Sequence, residues 1–250
     1  MNVTTITHSP SGGPLTSSIR LAHERAAELS VADLADHAGY SPFHFSRMFA
    51  RHVGIGPGQY LTALRIDRAK QLLLTQSESV IDVAATVGFD SLSSFSRRFR
   101  STVGIPPGKL RRLADHISDR PPQPFSLLTP GTGCVRVTLD LPADLSPRGD
   151  AAVWVGWYPH PAPIGLPRSG ALVSGVSVVD LPLGAGAPFL LGFAVPAHAD
   201  AQDQLAPPDP TVAVHPVPLT HSQDVTLHFG ATAQDRPMPL LTALPSLCTR

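Results

Sequence analysis

Two arginines, Arg47 and Arg97, stand at the same place in two copies of one pattern, Phe-Ser-Arg-x-Phe, at residues 45–49 and 95–99. A guanidinium on an open helix face can donate two parallel hydrogen bonds to the O6 and N7 of guanine, worth about 1–3 kcal/mol of discrimination. An isolated surface arginine is ordinarily only solvated; recurrence at one position of a repeated unit lifts these two above that reading. Ser46, Ser93, Ser94 and Ser96 share the same open faces. A hydroxyl donates and accepts alike, so it separates bases poorly and suits phosphate or a bridging water. Phe43 and Leu92 open the two segments, where thymine-methyl contact and core packing carry equal weight. His44 lies in that row too and reads as surface before base contact. Arg51, Arg98 and Arg100, with Lys109, Arg111 and Arg112, are candidates for neutralising phosphate. Helix starts at Ser30 and Ser79 would add backbone N–H groups.

Other chemistry is sparse. No serine elbow, phosphate-binding loop or pair of catalytic carboxylates is present, so no enzymatic constellation is offered. His160, His198, His215, His221 and His228 lack ligand spacing, and neither a metal nor a cofactor is expected. Trp154, Trp157 and Tyr158 crowd one segment, with Trp154 and Tyr158 on one face of a strand and Trp157 on the other. They read as core and edge packing first, and as a small-molecule pocket second. Cys134 and Cys248 form no CxxC, which fits a reduced, cytoplasmic compartment. The N-terminus has no basic, apolar leader pattern, and no run of 18 apolar residues suggests a membrane span.

The elements that must position the arginines can be read from punctuation. Ser79 with Asp82 marks a capped helix start, and Gly88 marks its left-handed end. Ser91 caps a second helix whose apolar side is Phe95, Phe99 and Val103. Residues 31–61 follow the same script. Asp33, Leu34, Ala35 and Gly39 match Asp82, Val83, Ala84 and Gly88 at an offset of 49, and Phe45 through Phe49 match Phe95 through Phe99 at an offset of 50. Short helix, tight turn and second helix with guanidinium groups outward describe a helix-turn-helix, here twice. Between the copies, residues 57–75 predict one helix with Tyr60, Leu61, Leu64, Ala69, Leu72 and Leu73 apolar. Its span of roughly 28 Å approaches the ~34 Å turn of B-DNA, so one chain could reach two major-groove segments without a palindrome. A first helix is expected from near Ser17, burying Ile19, Ala22, Ala26 and Leu29, and a last one from Pro107.

On Ala-x-x-Val-Gly-Phe at Ala84–Phe89, Phe-Ser-Arg-x-Phe at Phe95–Phe99 and Gly-Ile-Pro-Pro at Gly104–Pro107, residues 18 to 115 resemble the paired DNA-binding region of the AraC/XylS family of bacterial transcription regulators. The resemblance implies double-stranded DNA as partner, contacts at Arg47 and Arg97, and RNA polymerase and a small-molecule effector as candidate partners. In most relatives this region lies C-terminally; here it comes first. Two companions of such regions do not fit. A gyrase-inhibitor-like sensor needs a buried glutamate, and a repair methyltransferase needs Pro-Cys-His-Arg; the second half has no Glu and neither cysteine sits in that motif.

Net charge is zero overall, yet 14 Lys plus Arg face 10 Asp plus Glu up to Arg120, against 5 and 9 beyond it. The basic half is the one expected to meet phosphate. Residues 1–16 read as a disordered tail, 17–118 as the all-α double helix-turn-helix, 119–132 as a proline-rich linker, and 133–250 as all-β. Cys134–Leu141 alternates apolar and polar; further strands are expected at 152–158, 171–179, 189–195, 212–217 and 225–229. Strands at that spacing favour a β-sandwich, with a weak likeness to prealbumin or immunoglobulin-like forms. Two roles are open for it: effector sensor, or ligand-free protein-interaction or dimerisation module.

Overall fold

The computed structural model describes residues 13–115, 117, 123–145, 150–162, 164–197, 199–208 and 210–230. Seven helices come first: α1 (Pro14–Arg25), α2 (Val31–His37), α3 (Pro42–Val53), α4 (Pro57–Thr75), α5 (Val80–Thr86), α6 (Leu92–Val103) and α7 (Pro107–Ala114). Their starts are chemically marked. Ser30 and Asp33 cap α2 reciprocally, and Ser41, Ser79 and Ser91 each accept the backbone N–H three residues on. Proline occupies the first turn of α1, α3, α4 and α7, where its missing N–H leaves nothing unpaired. That proline moves the start of α1 to Pro14, three residues before the expected Ser17, so the helix takes over the end of the expected 1–16 tail. Residues 1–12 lie outside the described residues. Ala26 ends up only half-buried, while Ile19, Ala22 and Leu29 are buried.

Two apolar cores hold the helical part. Phe45, Phe49, Leu34, Ile19, Tyr60 and Leu61 belong to the first, and Phe95, Phe99, Val83, Ile66, Leu73 and Leu110 to the second. Helix α4 therefore supplies both, its first turns to one unit and its later turns to the other. Its buried set is larger than expected, adding Ala63, Ile66 and a fully buried Lys70 whose ammonium lies 3.9 Å from Asp67.

The β-rich part holds β1 (Phe125–Leu127), β2 (Cys134–Asp140), β3 (Ala152–Tyr158), β4 (Ser169–Ser174), β5 (Val178–Pro182), β6 (Phe189–Val195), α8 (Ala201–Leu205), β7 (Thr211–Val214) and β8 (Gln223–His228). One sheet runs β1-β4-β3-β6-β7, antiparallel throughout; the other runs β5-β2-β8, with β2 and β8 parallel. Val135, Val137 and Leu139 of β2 share a core with Val153, Val155 and Trp157 of β3, so both sheets line one interior. The alternation in β2 holds residue by residue. Three expectations change. The linker assigned to 119–132 contains β1, paired to β4. The single strand expected at 171–179 breaks at Gly175 (φ +70°) into β4 and β5, which join different sheets. Helix α8, capped by Asp200, interrupts the supposedly all-β stretch. Residues 146–149 and Cys248 lie outside the described residues.

The two parts touch. In the loop after β3, Ala162 joins the core of the first helical unit and Ile164 packs against both cores, while Leu205 of α8 is fully buried in the second.

Candidate nucleic-acid interface

Helices α3 and α6 are built alike. Each buries residues at i, i+4 and i+8 (Phe45, Phe49, Val53; Phe95, Phe99, Val103), and each ends at a left-handed glycine, Gly54 or Gly104. Burial of that stripe fixes the rotation of each helix and leaves the opposite face open. Of the expected contact residues, Phe43, His44, Arg47 and Arg51 of α3 and Leu92, Ser93, Arg97, Arg98 and Arg100 of α6 are exposed, while Ser46, Ser94 and Ser96 are half-buried. Pro42, His52 and Ser101 are exposed on the same helices without having been singled out. By helical spacing Phe43, Arg47 and Arg51 lie opposite the buried stripe of α3 and Ser93, Arg97 and Arg100 opposite that of α6, whereas Leu92 and Arg98 stand on or beside the buried side of α6.

Phe43 is 74% exposed and Leu92 41% exposed, so neither packs in a core. Arg47 holds its guanidinium carbon 5.8 Å from the centre of the Phe43 ring, a cation–π distance that steadies both side chains. The His44 ring lies against Tyr40, centroids 5.1 Å apart. The phosphate candidates separate. Lys109 stays exposed, whereas Arg111 donates to the carbonyls of Leu73 (3.1 Å) and Glu78 (2.6 Å) and so ties α7 to the end of α4.

One residue that carried no sequence signal is Arg65, in the middle of α4. Its Nε donates to Ala26 O (2.8 Å), its Nη2 to Leu29 O (2.9 Å) and its Nη1 to Gly88 O (3.0 Å). A guanidinium reaching backbone carbonyls leaves no trace in periodicity or motif spacing, because its acceptors exist at every residue.

The aromatic trio occupies interior positions. Trp157 is fully buried between the sheets. Trp154 lies on the other face of β3, beside Phe125 and Phe193, and donates its Nε1–H to the Tyr158 hydroxyl (3.2 Å). Burial raises the Tyr158 phenol pKa. A cleft of about 490 Å³ lies where the β-rich part meets α6, with Ser101, Tyr158, His160, Leu166 and Arg168 on its walls. Among the described residues no cluster of three or more His, Cys, Asp or Glu side chains suits a metal ion, and no helix is long and apolar enough to cross a membrane.

Residues 34–113 match a family described as a helix-turn-helix domain. Over 87 residues the chain is 42% identical to the HTH-type transcriptional activator AarP of Providencia stuartii, covering 35% of this chain and 64% of that protein. Over 92 residues it is 37% identical to a putative AraC-like transcription regulator of Streptomyces lividans, covering 37% of this chain and 30% of that protein. Multiple antibiotic resistance protein MarA of Salmonella typhimurium is 30% identical over 92 residues, covering 37% of this chain and 72% of MarA. The chain spans under two thirds of the length of AarP and of the Streptomyces protein.

Proposed function

The chain belongs to the AraC/XylS family of transcription regulators, and from that premise we propose that it binds double-stranded DNA sequence-specifically, with α3 and α6 entering successive major-groove segments. The observation that carries this reading is the Phe43–Arg47 pair. Phe43, 74% exposed at the open end of α3, stands 5.8 Å from the Arg47 guanidinium, and that arginine recurs as Arg97 on α6, so an apolar group and a cation are presented together on the open face. Against DNA it supplies apolar contact for a thymine methyl and a guanidinium for guanine. Arg51, Arg98, Arg100 and Lys109 supply positive charge for phosphates, and the half-buried serines supply hydroxyls. The test is selection of bound sequences from random duplexes by the full chain, followed by titration in rising salt. Enrichment of a bipartite site and a steep loss of affinity with salt are expected. No enrichment, or a flat salt response, would refute the reading.

For the remainder, we take residues 17–118, extended back to Pro14 by α1, as the DNA reader, and 133–250, together with β1 (Phe125–Leu127), as a β-sandwich domain that senses an effector. Support comes from its contacts: Ala162, Ile164 and Leu205 seat in the cores of both helix-turn-helix units, so a change in that loop or in α8 reaches both readers. A small molecule in the cleft walled by Ser101 and Tyr158 would touch α6 directly, with Trp154 backing Tyr158 from inside the sheet and Trp157 bracing its other face. A second reading, a dimerisation or protein-interaction module, is favoured by Val176 and Val178, each 45% exposed beside the edge of the three-stranded sheet. A thermal-shift screen of the full chain against small metabolites, with and without Arg168→Ala, separates the two. RNA polymerase as partner rests on the family resemblance.

A further inference from the structure

Helix α4 joins the two units, and three backbone carbonyls converge on Arg65 at its middle. The Arg65 guanidinium takes Ala26 and Leu29 from the α1–α2 connection of the first unit and Gly88 from the turn of the second. Its planar fork suits three fixed acceptors at once; an ammonium on a lysine stem has no such geometry. Burial lowers the Arg65 pKa, partly offset by Asp90, but a guanidinium stays charged at any working pH. A second contact lies beside it. A Cβ placed on Gly88 would fall 2.9 Å from the Ala27 Cα and 2.8 Å from its carbonyl carbon, so the turn of the second unit rests on the backbone of the first.

We propose that Arg65 is a positioning residue that sets which half-site spacing the protein accepts, by locking the second helix-turn-helix against the first. This rests on the DNA-reading function proposed above. A single base pair inserted between half-sites moves one relative to the other by about 3.4 Å and roughly 34°. Units clamped at Arg65 cannot follow that change; without the clamp, α4, the Gly88–Ala27 contact and the Ile164 packing remain, none of which supplies three directed hydrogen bonds, so the units gain freedom to pivot.

The test uses the full chain and operators from the selection, re-spaced by one base pair in each direction. Wild type is expected to lose roughly tenfold or more in affinity on each re-spaced operator, the scale of a lost base contact. Arg65→Ala is expected to bind the natural spacing more weakly and to discriminate re-spaced operators by less than about threefold, with Arg65→Lys behaving the same way. Parallel losses on every spacing would mean a structural role only and would overturn the proposal, as would full rescue by lysine. A second measurement does not depend on DNA. Spin labels at Asp36→Cys and Ala85→Cys, exposed equivalent positions of α2 and α5, on a Cys134→Ser, Cys248→Ser background, should give a narrow distance distribution in wild type and a broad one in Arg65→Ala. An unchanged narrow distribution sinks the tie. A selection that enriches nothing sinks the function instead, and the labels still decide the tie.

Discussion

Gly39 and Gly88 occupy the same turn of the two repeated units with φ of +73° and +83°, yet only Gly88 is pressed against another part of the chain. Around Gly39 nothing lies within 4 Å of where a Cβ would sit; at Gly88 the Ala27 backbone does. The pair separates two causes that usually travel together. Gly39→Ala introduces only the left-handed strain of an L-residue, about 1–2 kcal/mol. Gly88→Ala adds a clash with main chain, which cannot rotate aside. Chemical denaturation should therefore show Gly88→Ala destabilised clearly more than Gly39→Ala. Equal losses would mean that the two units do not rest on each other at this point.

Arg97→Ala should flatten preference at one base position of the second half-site by about 1–3 kcal/mol, roughly fivefold to 150-fold, while non-specific binding changes little. Arg47→Ala should do the same in the first half-site. The check is competition binding of each variant against operators carrying all four bases at each position. Equal weakening on every sequence would assign the two side chains to phosphate.

Much of this interface could be read without coordinates, because its determinants are local. Ser30, Ser41, Ser79 and Ser91 announce helix starts through their own hydroxyls, and the spacing of Phe95, Phe99 and Val103 fixes which face of α6 is open. The alternation of β2 was equally plain. What stayed hidden depends on distant chain. Strand β1 is three residues long and exists only through its pairing with β4; α8 is a single short turn whose buried Leu205 answers to α4 and α7. The break at Gly175 was masked by apolar residues on both sides, which suit one long strand as well as two. Arg65 looked like any exposed-face arginine of α4.

Leu205→Ala tests whether the β-rich part supports the reader. Leu205 is fully buried in the core of the second helix-turn-helix, so truncation should cost about 2–5 kcal/mol. Hydrogen exchange should report that loss in the later turns of α4 and in α7. Leu227→Ala, which empties the core between the two sheets, is the control. If Leu205→Ala loosens only the sheets, the two parts are not packed together in solution.

His23 gives a pH dependence with a definite sign. Its Nε2 lies 2.7 Å from the Tyr60 hydroxyl in the core of the first unit, and burial lowers its pKa from the ordinary 6.5. The folded state therefore holds the ring neutral at pH values where the unfolded chain already binds a proton. Stability tied to this group is fully present above pH 6.5 and is lost as pH falls through the folded value. Denaturation midpoints for wild type should drop between pH 7.5 and the range just below 6.5, and His23→Gln should remove that part of the slope. Carboxylates held by hydrogen bonds, such as Asp33 with Ser30, act in a lower window, since their pKa values are pulled below 3.8. His23 keeps an exposed face, so the shift depends on its side toward Tyr60; a wild-type profile that stays parallel to His23→Gln across the upper window would show that this contact does not hold the ring neutral.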